Sequence, residues 1–246
     1  MANKGGSNKS KRIALPKARQ VLRKKHIWAI KPRPGPHQQK AVLPLGEILR
    51  EKLGLASNRK EIKAILNAKK IRVDEKIRTD SKFPVGLFDV VRVEEEKKQY
   101  RIVFDPKGRL QVIEMDIKEK PVKVCKIVLK KILGKEKVQL TTNDGRTIIE
   151  KKSKTKPGDS VLIELPSQKI ERVMPFQEGQ LGYLTSGTRT GSIAKIKKVT
   201  PATMRRASLV ELETKGETFQ TLAENIIVIG SNTPVIPVEW TKTEQE

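Results

Sequence analysis

Apolar residues recur at helical spacing within one stretch of the chain, 45–70, which predicts two helices. Leucine and isoleucine recur every three or four positions over 45–53, which predicts a first helix that ends at Gly54. A second helix is predicted over 58–70. Asn58 can cap its first turn, and Glu61 follows three residues later, as in a capping box.

The second predicted helix has an apolar side and a basic side. At about 100° per residue, Ile62, Ile65 and Leu66 fall on one side, which can pack into a core. The neighbouring, polar side is formed by Arg59, Lys60, Lys63, Asn67 and Lys70. Such a row of cations suits a repeating phosphate backbone, and a simply solvated helix face is the alternative.

Beyond residue 95 the apolar pattern changes to period two, with turn residues between the runs. Alternating runs on either side of 105–108 and of 143–145 predict two hairpins. Two further strands are expected over 160–165 and 169–176. The pattern therefore predicts a small antiparallel β domain, either a barrel or a curved sheet, over 96–176.

Charge separates the first forty residues from the rest of the chain. The sequence has 52 Lys and Arg against 28 Asp and Glu, a net charge of +24. Residues 1–40 hold twelve of these cations and no acid, and we expect the first twelve residues, which have almost nothing to bury, to be disordered alone. Such a surplus calls for a polyanionic partner, for which nucleic acid is the first candidate and an anionic membrane surface the second.

The remaining composition excludes several classes of protein. No run of about 18 apolar residues is present to span a bilayer, and the N-terminus lacks the apolar core of a signal peptide. A single cysteine, Cys125, excludes an internal disulfide and fits a reducing cytosol. Cys125, His26 and His37 match no spacing of zinc ligands, so no metal site is expected.

The basic N-terminal segment has two interpretations. Apolar residues are interleaved with its cations over 21–30, and three prolines over 32–36 then favour an extended chain. A basic arm that enters folded RNA is one interpretation, and a nuclear-localisation or solubilising tail is the other. Trp28 can stack on a base, or it can pin the arm to its own domain.

The helical region resembles a small RNA-binding module, the S-four domain. The resemblance is carried by SNRKEIKAILNAKKIRVDEKIRTD followed by GLFDVVRV. It implies that the helix faces RNA with Arg59, Lys60 and Lys63, and that Lys70 and Arg72 continue this surface at the next turn. Ribosomal proteins share this module with RNA-modifying enzymes, so it leaves both classes open.

A segment near the C-terminus resembles the KOW motif of ribosomal proteins and transcription elongation factors. It reads GQLGYLTSGTRTGSIAKIKKV over 179–199. Gly191 matches the central glycine of the motif, where a turn between strands leaves no room for Cβ. Arg189 in the same turn is a weaker candidate for an RNA contact.

The order of these modules resembles that of a whole family, the archaeal type of the eS-four small-subunit ribosomal proteins. Supporting stretches are RPGPHQQKAVLPLGEILREKL, IRVDEKIRTDSKFPVGLFDVVRV, YRIVFDPKGRL and GYLTSGTRTGSIAKI. The expected fold is α+β and multidomain, with a helix-helix-strand RNA-binding module followed by two small antiparallel, barrel-like β domains. Its predicted parts are an extended basic arm (1–40), the S-four-like module (41–95), a central β domain (96–176), a KOW-like barrel (177–230) and a tail (231–246).

The resemblance implies a structural constituent of the cytoplasmic small ribosomal subunit that supports translation. Its partners would be small-subunit rRNA and neighbouring small-subunit ribosomal proteins, with no cofactor, membrane or small-molecule substrate. The rival classes are a KOW-type elongation or assembly factor and an RNA-modifying enzyme. The enzyme is disfavoured because turn chemistry accounts for Asp105, Asp144 and Asp159.

We predict RNA binding by cations of the arm and of the module, with no catalytic residue. In the arm the predicted residues are Lys11, Arg12, Lys17, Arg19, Arg23, Lys24, Lys25, Trp28, Lys31 and Arg33. Elsewhere they are Arg59, Lys60, Lys63, Lys70, Arg72 and Arg189. Affinity should fall steeply with salt, and specificity should come from RNA shape.

Overall fold

The chain forms several antiparallel sheets and few helices, and it divides into two compact units. The first unit comprises Met1–Ile102 with Arg109–Asp116, and the second comprises Val103–Gly108 with Ile117–Glu246. The computed structural model describes residues 9–22, 24, 26–116, 120–134, 137–151, 154–204, 206–214 and 216–238. The predicted mixture of a small helical region and antiparallel β structure is therefore present, and the β part predominates.

The first unit is built around a five-stranded antiparallel sheet with the order β5-β4-β7-β8-β9. Two short strand pairs, β1 with β2 and β3 with β6, lie outside this sheet. The strands are β1 Ser10–Lys11, β2 Trp28–Ala29, β3 Leu43–Pro44, β4 Ile71–Val73, β5 Lys76–Ile77, β6 Pro84–Val85, β7 Val90–Val93, β8 Lys98–Phe104 and β9 Leu110–Met115.

Both predicted helices are present in the first unit. The first begins as Leu45–Glu47 (α1) and continues as a wider, π-helical turn over Ile48–Lys52. The second is Arg59–Asn67 (α2). Of the three apolar residues predicted for its inner side, Ile62 and Leu66 are buried and Ile65 is half-buried.

The start of α2 is fixed by the predicted capping box. The Asn58 side chain accepts hydrogen bonds from the N–H groups of Lys60 and Glu61, at 2.9 and 3.1 Å. The Glu61 carboxylate in turn accepts from the N–H of Asn58. The helix ends three residues earlier than predicted, and Lys69 then adopts a positive φ of 60°. A left-handed residue at this point is a common helix stop.

The described part of the basic arm packs into the first unit. Lys11 pairs with Trp28 across β1 and β2. Leu15 and Ala18 are buried, and the Leu110 N–H donates to the Ala18 carbonyl at 2.8 Å. Of the twelve residues expected to be disordered, 9–12 are described, and there Lys11 is paired in β1 and Arg12 is buried within the unit.

The hairpin expected to open the central β domain belongs to the sheet of the first unit instead. β8 pairs with β7 in antiparallel register, with Val90 opposite Arg101 and Val93 opposite Lys98. β9 follows as the edge strand of that sheet. The period-two pattern thus predicts the strands correctly but not their partners, and the division into five parts stays a prediction.

The second unit contains two five-stranded antiparallel sheets. Their orders are β12-β11-β10-β13-β14 and β18-β17-β16-β15-β19. The strands are β10 Val122–Ile132, β11 Lys137–Thr142, β12 Thr147–Lys151, β13 Ser160–Glu164, β14 Ile170–Met174, β15 Leu181–Leu184, β16 Ile193–Thr200, β17 Leu209–Thr214, β18 Glu217–Leu222 and β19 Ile226–Gly230. The sheets are joined by hydrogen bonds, including one from the Val228 N–H to the Ser160 hydroxyl at 3.0 Å.

A buried ion cluster lies in the first of these sheets. The Lys123 ammonium lies 2.9 Å from the Asp144 carboxylate, and Arg146 lies 2.7 Å from it. Burial disfavours the charged carboxylate, but Lys123, the Thr142 hydroxyl and Arg146 outweigh that cost, so the pKa of Asp144 is held well below its ordinary value. These contacts give Asp144 a structural role, in agreement with the prediction that turn chemistry accounts for this aspartate.

Gly191 occupies a position that excludes larger residues. Its φ is +85°, and a Cβ built on it would lie 2.5 Å from the Asp105 carbonyl oxygen. The expectation that the turn leaves no room for Cβ is confirmed by this approach.

In the described part of the chain, no helix is long and apolar enough to cross a membrane. The same residues contain no group of three or more His, Cys, Asp or Glu able to hold a metal ion, and Cys125 is a buried free thiol.

Candidate nucleic-acid interface

The outer side of α2 presents three cations to solvent. Arg59, Lys60 and Lys63 are exposed, whereas the inner side of the same helix is buried. Within the described residues, none of the three forms an ion pair with an acidic side chain. Because residues three or four apart are neighbours on a helix surface, the three cations form one continuous patch, which we call the free basic edge.

Two further predicted cations, Lys70 and Arg72, are already paired with acids of the first unit. Lys70 forms an ion pair with Glu95. The Arg72 Nε lies 2.6 Å from Glu94 Oε1, and a second nitrogen lies 4.0 Å from Glu75. These side chains are partly exposed, so solvent screens the pairs and each contributes little to stability.

The acidic turn that pairs with these cations was missed by the sequence interpretation. Glu94, Glu95 and Glu96 follow β7 directly, and they were visible as a run of three acids. The pairing of β4 with β7 is not predicted by any local pattern. It places Ile71 opposite Val93 and so brings the acidic turn to the end of α2.

Arg12, predicted to bind RNA, lies inside the first unit. Its side chain is only 1% exposed. It donates to the Leu22 carbonyl at 2.8 Å and to the Glu51 carboxylate at 2.7 Å. A guanidinium held in this way is not available to a phosphate, and we leave Arg12 out of the interface.

Arg19 is buried in the same manner. It forms an ion pair with Glu47 of α1 and donates to the Ile30 carbonyl at 2.9 Å. Burial raises the pKa of Glu47, and the Arg19 guanidinium offsets part of that rise. Arg12 and Arg19 together attach the arm to the first helix, so their physical role in this fold is structural.

The other predicted residues of the arm differ in solvent exposure. Trp28 is about half exposed, with the Lys9 ammonium 5.4 Å from the centre of its ring. Arg33 pairs with Asp80 at 2.9 Å. Lys11, Lys17 and Lys24 are exposed, Lys31 is half-buried, and Arg23 and Lys25 lie outside the described residues.

Arg189 in the KOW-like turn is engaged within the second unit. Its guanidinium lies 2.7 Å from the Glu217 carboxylate and 4.4 Å from the centre of the Phe219 ring. A phosphate would compete with both contacts for the guanidinium. This agrees with the prediction that Arg189 is a weaker candidate for an RNA contact.

The fold identifies a class of protein through comparison with solved structures. The structure is similar to the crystal structure of the 30S ribosomal protein S4e from Thermoplasma acidophilum, with a TM-score of 0.65 and 30% sequence identity. The match covers 78% of this chain and 95% of that chain. A ribosomal protein fold is therefore indicated.

Sequence comparisons identify the family. Residues 4–40 match the RS4NT (NUC023) domain, 46–91 the S4 domain and 86–170 the Ribosomal family S4e. The chain is 36% identical to the small ribosomal subunit protein eS4 of Methanosphaera stadtmanae over 236 residues, covering 96% of this chain and 98% of that protein. It is 38% identical to the protein of the same name from Methanocaldococcus jannaschii over 249 residues, covering 96% and 99%. The chain belongs to the eS4 family of small ribosomal subunit proteins.

This membership decides between the classes that the sequence left open. The family was predicted from the order of modules, and that prediction is confirmed. Because the family consists of ribosomal proteins, which are structural, the prediction that the chain is not an enzyme is confirmed as well.

Proposed function

We propose that this chain is a structural component of the small ribosomal subunit in the cytoplasm and binds small-subunit rRNA through the free basic edge of α2. The printed names of its relatives support the ribosomal part of the proposal. The RNA-binding part depends on one observation, the exposed side of α2 on which Arg59, Lys60 and Lys63 have no acidic partner among the described residues.

The physics of the proposed contact is electrostatic. Each lysine or arginine that neutralises a phosphate releases a condensed counterion, so the logarithm of the affinity falls linearly with the logarithm of the salt concentration. The capping box and the buried inner side hold α2 in place before RNA arrives. The cations therefore need little reorganisation, and the RNA is selected by its shape.

The exposed cations of the arm extend the proposed contact. Lys11, Lys17 and Lys24 are open to solvent on a segment whose buried arginines hold it on the first unit. Trp28, half exposed beside Lys9, supplies an aromatic surface on which a base can stack. We propose that the arm contacts rRNA with these outward side chains.

The KOW likeness and the barrel-like form of the C-terminal sheet remain part of the proposal. Gly191 supports the likeness, because its positive φ and its close approach to Asp105 are what the motif's central glycine requires. Arg189 contributes little under this proposal, since it is already paired with Glu217. Neighbouring small-subunit proteins complete the proposed set of partners.

The test reverses two charges on the free basic edge. We expect Lys60→Glu with Lys63→Glu to abolish stable incorporation into small subunits while the purified protein stays folded, because both side chains are exposed. The measurement is the distribution of the chain across a sucrose gradient of cell lysate at low and high salt.

A matched control reverses two exposed lysines of the second unit, Lys156→Glu with Lys169→Glu. This control alters the net charge by the same amount without touching α2, and it should enter small subunits. Unchanged incorporation of the α2 variant would contradict the proposed contact.

A further inference from the structure

Arg78, which follows β5 in the first unit, packs its guanidinium on an aromatic ring. Its Cζ lies 4.2 Å from the centre of the Phe83 ring. Its Nε is buried and has no hydrogen-bond partner among the described residues, and no acidic side chain of that part of the chain pairs with the guanidinium. A guanidinium keeps its charge and carries five donors, so enclosing part of it without an acceptor costs free energy. Arg78 is therefore better explained as a binding residue than as a support of the fold.

The backbone on both sides of this stack is held in place. The Arg78 N–H donates to the carbonyl of Ile71, the first residue of β4, at 3.2 Å. The Phe83 carbonyl accepts from the N–H of Leu45, the first residue of α1, at 2.9 Å. The Phe83 N–H donates to the Asp80 carbonyl at 3.0 Å. The guanidinium is thus positioned before a ligand arrives, which lowers the entropy that binding must cost.

Two further cations meet at the same loop. Arg33 of the arm donates its backbone N–H to the Lys82 carbonyl at 2.9 Å, and its guanidinium lies 2.9 Å from the Asp80 carboxylate. The same carboxylate accepts from the Lys82 N–H at 2.9 Å. The Lys82 side chain, like that of Arg78, is not ion-paired within the described residues. Three cations therefore share one acid here, and we call Arg33, Arg78 and Lys82 the stacked-arginine site.

The chemistry of the stacked-arginine site favours a backbone phosphate as its ligand. A guanidinium matches the oxygens of a phosphate in a bidentate fork, and the excess of positive charge suits a polyanion. A docked protein would need an apolar centre as well. The ring of Phe83 is covered by Arg78. Ile77 is 46% exposed, but it pairs with Arg72 and points to the opposite side of the hairpin from Arg78.

We propose that the stacked-arginine site binds one phosphate of the small-subunit rRNA backbone, with two parallel hydrogen bonds donated by Arg78. Phe83 is the positioning residue of this contact, and Lys82 and Arg33 supply further positive charge around it. The inference rests on the proposed function, because it takes rRNA as the polyanion. It adds to the free basic edge a contact with defined hydrogen-bond geometry.

The test measures binding of the purified full-length chain to full-length small-subunit rRNA over a range of salt concentrations. Arg78→Met removes the charge and the donors but keeps an unbranched side chain that can pack on Phe83. It should reduce the slope of log K against log salt by about one, the share of one phosphate contact. Its free energy of unfolding in urea should not fall below that of the unaltered chain, because a buried donor without an acceptor is removed. A residue that only supported the fold would lose stability instead.

A conservative replacement separates the fork from the charge. Arg78→Lys keeps the positive charge but cannot form the bidentate pair, so the salt slope should stay the same while the affinity falls by at least about threefold. Phe83→Leu should weaken binding in the same way. Combined with Arg78→Lys it should have little further effect, because a lysine depends little on the ring. Additive losses in the double variant would show that Phe83 acts on binding independently of Arg78.

The matched control removes an arginine of the second unit, Arg172→Met. Arg172 is exposed in β14 and has no ion pair within the described residues, so the control changes the net charge equally and should leave the salt slope unchanged. An equal reduction in both variants would mean that net charge alone matters, and it overturns the proposal. Wild-type affinity of Arg78→Met or of Arg78→Lys for rRNA also overturns it. If Arg78→Met binds rRNA normally but is excluded from small subunits, a protein carboxylate is the partner and the phosphate contact is wrong.

This inference and the proposed function fail in distinguishable ways. An unaltered chain that does not bind rRNA contradicts both. A slope that is reduced by Lys60→Ala with Lys63→Ala but not by Arg78→Met overturns only the stacked-arginine site. The reverse result supports the stacked-arginine site and contradicts the contact proposed for the free basic edge.

Discussion

Two groups of cations in the first unit both lie in basic stretches of the sequence, but one group is exposed and the other is buried. Arg59, Lys60 and Lys63 stand on the outer side of α2 without acidic partners among the described residues. Arg12 and Arg19 are buried and paired with acids of the first helical segment. The difference shows that a basic stretch is not uniformly a ligand surface, since some of its cations hold the stretch itself in place.

The largest effect expected from this comparison is on stability. We expect Arg19→Ala to destabilise the protein by about 3–5 kcal/mol, because it leaves the buried Glu47 carboxylate without its cation. Lys60→Ala should change the free energy of unfolding by less than about 0.5 kcal/mol, as is usual at exposed positions. Urea unfolding of both purified variants measures the contrast, and a similar small loss in each would contradict the structural role of Arg19.

The pH dependence of the Arg19→Ala loss tests its cause. Burial raises the pKa of Glu47 above its ordinary value of 4.5, and loss of the Arg19 guanidinium raises it further. A carboxyl with a raised pKa favours the folded protein when protonated, and this contribution is lost as pH rises through the folded pKa. The variant should therefore regain stability as pH falls from 7 towards 4.5. Adding Glu47→Gln should abolish that dependence.

The elements of the first unit show what a sequence pattern can and cannot predict. The capping box of α2 involves residues three apart, so local spacing is sufficient to predict it. The pair of Arg19 and Glu47 joins residues 28 positions apart, and its formation depends on how the arm folds back onto α1. No local pattern distinguishes such an arginine from an exposed one.

Strand partners are unpredictable for a similar reason. Alternation of apolar residues over 98–115 predicts two strands and the turn between them, and both strands are present. Alternation does not specify which neighbouring edge they join, because pairing is decided by tertiary packing. The hairpin therefore lies beside β7, although the pattern placed it with the following β strands.

A smaller effect is expected on the salt dependence of RNA binding. Replacing Lys60 and Lys63 together by alanine should weaken binding to full-length small-subunit rRNA and reduce the slope of log K against log salt by about two, roughly one for each lost phosphate contact. Arg12→Lys, which keeps a cation at the buried position, should leave the slope unchanged. A slope that is unaffected by the double alanine variant would show that the free basic edge does not face RNA.

The smallest expected effect concerns Lys70 and Arg72. They are neither buried like the two arginines of the arm nor without an acidic partner like the cations of the free basic edge. Lys70 and Arg72 are partly exposed and paired with Glu95 and Glu94, so the acidic turn should limit how far the RNA contact extends along this side of the unit. Glu94→Gln with Glu95→Gln should increase the salt slope by up to about two, because Lys70 loses its acidic partner and Arg72 keeps only the 4.0 Å contact with Glu75. Stability should change by no more than about 1 kcal/mol for each pair, since exposed ion pairs contribute little.

If the salt slope of the double glutamine variant stays the same, Lys70→Ala shows whether or not Lys70 contacts RNA. A reduced slope in that variant means that Lys70 leaves Glu95 for RNA in the native complex, and an unchanged slope removes Lys70 from the interface.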